Sequence, residues 1–248
     1  MARTRTKRPD DALDTDAGQL PARVEDAGVG PMLMYDEIPS GLAEGLRRIV
    51  NRHELRRDEH LPTSISVTAA LRGEGTTTVS QALSTLIAQE MGRYVCWVDC
   101  SWLAGDRPAE APDGRPGLIE ILADRSKVLS AFQAVPGLPQ LITLRPGYVE
   151  DSKRNMIARS PEFDQLLDVL TAEFDHVIFD IPPVLQNANG LALVRRSDAS
   201  LLVTRQRSTS IAQFEQALDA TLPTPNLGVV LNQYRTSIPR RLRRLLND

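Results

Sequence analysis

From residue 40 onward the chain alternates short apolar runs with longer amphipathic stretches. Residues 64–69, 94–99, 140–144, 176–180, 199–204 and 227–231 are short and almost wholly apolar, as strands covered on both faces must be. Between them the apolar positions recur at helical spacing. Over residues 77–90 Val79, Ala82, Leu83, Leu86 and Ile87 share a face, and over 161–174 Phe163, Leu166, Leu167 and Leu170 do. Over 210–222 the set is Ile211, Phe214 and Leu218. Ahead of the first strand, Ser40 is placed to N-cap a helix running to about Arg57. Leu42, Leu46, Ile49 and Val50 face inward there, and Glu44, Arg47, Arg48 and Arg52 face outward. Strand alternating with helix predicts an α/β fold, a doubly wound and mostly parallel sheet flanked by helices.

Composition sets the borders of that unit. Residues 1–36 open with Arg3, Arg5, Lys7 and Arg8, followed at once by Asp10, Asp11, Asp14 and Asp16. So few aromatic and β-branched residues cannot offset the entropy of ordering, so 1–36 reads as a disordered tail. The folded domain is then 37–235, with a separate basic helix at 236–248. The 248 residues carry 29 Lys+Arg against 32 Asp+Glu, which removes a global electrostatic case for nucleic acid. Two cysteines, Cys96 and Cys100, are too few for a disulfide framework and read as buried thiols. No run reaches the roughly 18 apolar residues of a membrane-spanning helix, and the basic N-terminus lacks the apolar core of a secretory signal. A soluble, intracellular chain is expected.

The first strand leads through Ala70-Leu71-Arg72-Gly73-Glu74-Gly75-Thr76-Thr77-Thr78 straight into a helix. Strand, glycine loop and helix N-terminus together make a phosphate cradle. In a full P-loop the last glycine is followed by Lys, which reaches the β- and γ-phosphates, and then by a Ser or Thr that holds Mg²⁺. Here Thr76 stands at the Lys position, and the hydroxyl position, Thr77, is intact. Asp99 and Asp180 close the second and fourth predicted strands, at the carboxyl ends where such folds place nucleotide chemistry.

From about Ser40 to Tyr234 the chain resembles the bacterial tyrosine kinases (BY-kinases) of capsule and exopolysaccharide synthesis, within the MinD/ParA group of P-loop ATPases. Residues 72–78 resemble the Walker A loop, usually Pro-Gly-Glu-Gly-Lys-Ser-Thr. Val98-Asp99-Cys100-Ser101 resembles Walker A′, and Phe179-Asp180-Ile181-Pro182-Pro183 is close to Walker B. Residues 116–122 resemble the helix after Walker A′, and Gly228-Val229-Val230-Leu231-Asn232 the late strand whose Asn lies near the adenine. The resemblance implies ATP or ADP with Mg²⁺ as ligands. Arg72, Gly73, Glu74, Gly75, Thr76, Thr77, Thr78 and Asn232 would hold the nucleotide, and Thr77, Asp99 and Asp180 the metal; Asp99 and Asp180 are the catalytic candidates.

Several departures accompany these matches. Thr76 replaces the Lys, and Ser101 the second Walker A′ acid. The Arg-rich continuation is displaced across residues 102–107. The C-terminal tyrosine cluster is missing after Tyr234, and the ring-forming Glu-x-x-Arg-x-x-Arg pattern stops at Glu44 and Arg47, with Val50 in third place. Losing the Lys removes a charge-assisted hydrogen bond worth about 1.5–3 kcal/mol, and phosphoryl transfer depends on such positioned charge. Arg72 is either a substitute cation or, more commonly for such a residue, a solvated loop arginine. Taken together the departures point to a pseudokinase that regulates or scaffolds a membrane-associated polysaccharide system. Its expected partner is a transmembrane co-polymerase or activator, self-association is open, and it would lie in the cytoplasm at the inner membrane face.

Residues 237–246 add Ile238, Leu242, Leu245 and Leu246 on one helical face with Arg240, Arg241, Arg243 and Arg244 around the rest. This pattern suits an anionic membrane or a partner protein, and resembles the membrane-targeting helix of MinD proteins. It equally suits a helix docked on its own domain. No aromatic platform accompanies the arginines, so nucleic acid is not expected. Two alternatives to the pseudokinase remain: an active ATP-dependent tyrosine kinase or ATPase with a rearranged loop, and a MinD/ParA-like membrane-associated spatial-organising protein.

Overall fold

A computed structural model describes residues 32–54, 60–100, 102, 114–147 and 149–233. Its centre is a seven-stranded sheet ordered β3-β4-β2-β5-β1-β6-β7. The strands are β1 (Ser64–Ala69), β2 (Val95–Asp99), β3 (Phe132–Val135), β4 (Leu138–Leu144), β5 (His176–Asp180), β6 (Ala199–Arg205) and β7 (Asn226–Asn232). Every residue of β1 and β5 is buried, as strands covered on both faces are, with the hydroxyls of Ser66 and Thr68 bonded to the carbonyls of Ala199 and Pro182. All neighbouring pairs are parallel except β3 with β4. That hairpin replaces the single strand expected at 140–144. It turns at Pro136-Gly137, where Gly137 takes φ 77, a conformation open to glycine.

The helices are α1 (Ser40–Glu54), α2 (Thr76–Met91), α3 (Leu118–Ala123), α4 (Val128–Ala131), α5 (Asp151–Ile157), α6 (Pro161–Glu173), α7 (Ala188–Val194) and α8 (Ile211–Thr221). Two apolar layers form, one on each face of the sheet. Leu46 and Val50 of α1 and Val79, Leu83 and Ile87 of α2 pack on Ile65, Val67 and Val203. On the other face Ile121, Phe163, Leu170, Leu193 and Ala217 pack on Val98, Val177, Phe179 and Leu202. The doubly wound arrangement is therefore present, with α1 and α2 on one side and α3, α6, α7 and α8 on the other.

Helix ends follow their local chemistry. The Pro39 carbonyl accepts the N–H of Ala43 at 3.0 Å, so Ser40 lies inside the first turn and is not the cap. Ser160 accepts from Phe163 N–H at 3.2 Å, with Pro161 at the first helical position. Ser210 and Gln213 form a reciprocal capping box. The packed unit starts earlier than composition suggests, because Met32 and Ile38 are both buried in the α1–α2 layer. Residues 32–36, assigned to the tail by composition, thus pack with the domain. Cys96 and Cys100 are free and buried, in agreement with the expectation. Among the described residues no helix is long and apolar enough to cross a membrane.

Candidate nucleotide site

The loop between β1 and α2 contains two left-handed glycines, Gly73 at φ 82 and Gly75 at φ 94. Gly75 immediately precedes the first turn of α2, so the unpaired N–H groups and positive end of the helix open on the loop. A cavity of about 330 Å³ lies there. Arg72, Gly73, Gly75, Thr76 and Thr77 line one side, and Asp180, Pro182 and Gln186 line the other. The chain after β5 also grips the loop, since Gln186 Oε1 accepts the Arg72 N–H at 3.0 Å.

Glu74 points away from this cavity. Its carboxylate is fully buried and accepts the N–H of Leu71 at 2.8 Å, the N–H of Arg205 at 3.1 Å and the hydroxyl of Thr209. The side chain ties the loop to the end of β6. Asn232, expected beside an adenine, donates from Nδ2 to the Glu74 carbonyl at 2.8 Å. A Cβ on Gly75 would overlap that amide, so glycine is needed there for close approach as well as for its φ. Of the residues expected to hold nucleotide, Glu74, Thr78 and Asn232 do not line this cavity: Glu74 and Asn232 brace the loop, and Thr78 is an exposed position of α2.

Asp99 and Asp180 are register partners on neighbouring β2 and β5. Asp180 is buried, and its pKa is pushed up to about 7 by loss of solvation first and by the charge of Asp99 second. A hydrogen bond donated by the Thr77 hydroxyl opposes this rise. The Cys100 thiol is raised well above its ordinary value by burial and then by the same two carboxylates. The Thr77 hydroxyl and the Asp180 carboxylate on the cavity wall, with the Asp99 carboxylate on the neighbouring strand, are the hard oxygen donors that suit Mg²⁺ with phosphate oxygens. These residues fit a magnesium nucleotide, with one gap. Thr76 lines the cavity with an uncharged side chain where the P-loop lysine would sit.

Two cations border the loop. Arg72 lines the cavity on an exposed stretch. Arg205, which sequence reasoning passed over, donates from Nη1 to the Gly73 carbonyl at 3.4 Å. Its signal in the sequence was its place at the carboxyl end of a predicted strand. Among the described residues no three His, Cys, Asp or Glu side chains cluster for a transition metal. His176 is buried with Nδ1 3.0 Å from the Pro62 carbonyl, a packed strand residue.

The remaining candidates lie apart. Arg47 is bound to Glu90 at 2.8 Å, and Glu90 also accepts from the Tyr35 hydroxyl at 2.8 Å. Val50 is buried on the inner face of α1, which explains an apolar residue where the ring-forming pattern has arginine. Trp102 is buried edge-on to Phe163, 6.1 Å between ring centres. Ser101, residues 103–113, and Arg240, Arg241, Leu242, Arg243, Arg244 and Leu245 lie outside the described residues.

No protein-family model matches the chain. The tyrosine-protein kinase YwqD of Bacillus subtilis is 27% identical over 198 residues, covering 79% of this chain and 82% of YwqD. EpsB of Ralstonia solanacearum is 25% identical over 206 residues, 82% of this chain. The chain spans about a quarter of EpsB, 26% of its length. Among solved structures, the kinase domain of the Escherichia coli tyrosine kinase ETK superposes with TM-score 0.66 at 21% identity, covering 88% of each chain. A plasmid partition protein from Borrelia burgdorferi superposes with TM-score 0.54 at 15% identity, over 75% of this chain and 87% of its own. The chain thus has the fold shared by BY-kinase domains and ParA/MinD-like P-loop ATPases, and its relatives in sequence carry the name of bacterial tyrosine-protein kinases.

Proposed function

We propose that this protein is a degenerate P-loop protein of the BY-kinase type, which binds a magnesium nucleotide but transfers phosphate poorly or not at all. The observation that carries the reading is Thr76 on the cavity wall at the lysine position, with Thr77 and Asp180 intact beside it. Gly73, Gly75 and the start of α2 receive the phosphates through main-chain donors. Thr77 and Asp180, with Asp99 behind them, hold Mg²⁺, which supplies charge neutralisation at the phosphates when bound. For that to happen Asp180 must release its proton and Thr77 must turn its hydroxyl from the carboxylate to the metal. Without a fixed ammonium, the charge that grows on the transferred group is less well stabilised than ground-state charge, so turnover suffers more than binding.

By the resemblance to BY-kinases, the protein serves as a regulatory or scaffolding subunit beside a transmembrane co-polymerase of a surface-polysaccharide system, in the cytoplasm at the inner membrane face. Titration calorimetry with ADP and a non-hydrolysable ATP analogue, with and without Mg²⁺, tests the nucleotide half. Mg²⁺-dependent binding without phosphotyrosine formation is the expected result. No binding at millimolar ligand would leave the fold as a scaffold only. Phosphotyrosine formed with Mg²⁺-ATP and lost in Asp180→Asn would replace this reading with an active kinase that uses Arg72 as its cation.

A further inference from the structure

The two faces of β7 differ in cover. Its register with β6 sets Val230 beside Val203, and both are buried on the side where α1 packs. On the opposite side Val229 stands beside Leu202, and Leu231 beside Thr204. Leu202 is buried there with Ala217 of α8. The cover ends with β6, for Val229 is 42% exposed and Leu231 49%. The apolar surface continues onto α8. At 100° per residue, Leu218, Ile211 and Leu222 follow Ala217 around one flank of the helix. In a right-handed β6–α8–β7 crossover that flank faces β7. Ile211 is 77% exposed and Leu222 54%. An open apolar ledge therefore runs between α8 and the edge strand.

We propose that residues 238–246 of this same chain fold back as a helix onto the ledge, laying Ile238, Leu242, Leu245 and Leu246 over Val229, Leu231, Ile211 and Leu222. The last described residue after the sheet lies in a turn. Gln233, directly after β7, takes the left-handed φ of 53, and its N–H bonds to Asn232 Oδ1 at 2.8 Å. The lengths agree: nine helical residues span about 14 Å, within the roughly 23 Å of a seven-residue strand. The four apolar residues recur at i, i+4, i+7 and i+8, the width of stripe such a ledge covers. Charge agrees too. Glu215 and Asp219, exposed one turn apart beyond the apolar flank of α8, oppose Arg240, Arg241, Arg243 and Arg244. The helix would cover the apolar face that β7 and α8 leave open. Because the same four side chains would enter a lipid surface, docked and membrane-bound states exclude each other. The proposal stands whether or not the loop binds nucleotide.

Amide hydrogen exchange on the full chain tests it. Residues 238–246 are expected to exchange at least about tenfold more slowly than a free peptide. Truncation after residue 235 should accelerate exchange in 226–232 and along α8. The full-length double variant Leu242→Asp with Leu245→Asp should do the same. Val229→Asp with Leu231→Asp, placed on the exposed ledge, should release 238–246 while exchange in the central strands β1 and β5 stays unchanged. Exchange of 238–246 at free-peptide rates in the full chain overturns the proposal. Protection that appears only with anionic vesicles assigns the helix to lipid and overturns it too. Protection lost on dilution assigns the ledge to a second copy, with the same consequence.

Discussion

Thr77 donates its hydroxyl proton to the Asp180 carboxylate, joining the first turn of α2 to the end of β5. Both residues line the cavity, and the bond holds together two groups that a metal would need separately. It makes the site sensitive to pH. The hydrogen bond favours the ionised carboxylate, while burial and Asp99 favour the protonated one, and burial prevails.

Stability should therefore change with pH in a defined direction. The pKa of Asp180 rises from 3.8 when unfolded to about 7 when folded. Its contribution is fully present below pH 3.8 and is lost as pH rises to about 7. Roughly three pKa units at about 1.4 kcal/mol each make about 4 kcal/mol. Asp180→Asn should flatten that slope, measured by urea denaturation at pH 5 and pH 8. Mg²⁺-dependent nucleotide affinity should move the opposite way, strengthening as pH passes 7, and Asp180→Asn should abolish its Mg²⁺ dependence.

Gly75 and Gly73 both take positive φ, yet their substitutions should differ. Gly73→Ala meets nothing within 4 Å and pays only for its φ of 82, about 1 kcal/mol. Gly75→Ala adds overlap with the Asn232 amide and breaks its bond to the Glu74 carbonyl, for a total of about 2–4 kcal/mol. Equal midpoints in chemical denaturation would refute this difference.

Glu74 should matter for stability more than for ligand contact. Glu74→Ala leaves the Leu71 and Arg205 N–H groups without their acceptor, a cost of about 2–4 kcal/mol. Glu74→Gln keeps one acceptor oxygen and should cost about half as much. Thermal unfolding of both variants at one pH gives the comparison.

Thr76→Lys is the direct test of the missing charge. Thr76 already lines the cavity, so an ammonium there should tighten ADP binding roughly tenfold to a hundredfold. If the rest of the site is competent, Mg²⁺-dependent ATP turnover should appear with it. Unchanged calorimetric affinity would mean that the loop does not present this position to phosphate.

The amino-acid order alone determined the α/β class, since short runs with apolar centres such as Val177-Ile178-Phe179 alternate with longer amphipathic stretches. It also located the glycine loop, Thr77 and the two strand-closing acids, because strand, turn and helix start are local events. Where a side chain would point depended on the tertiary structure. Glu74 and Asn232 sit in or beside phosphate-binding patterns, yet they face partners 131 and 158 residues away in sequence, at Arg205 and Glu74. The elevated pKa of Asp180 likewise arose from burial of the end of β5 first, and from Asp99 opposite it on β2 second. The β3–β4 hairpin was hidden because Phe132–Val135 is short and lies at the sheet edge, leaving only Pro136-Gly137 to mark it. Local pattern fixes which backbone conformation a segment adopts. Long-range packing decides which polar groups meet, because desolvation and hydrogen-bond partners arise only when distant segments close on one another.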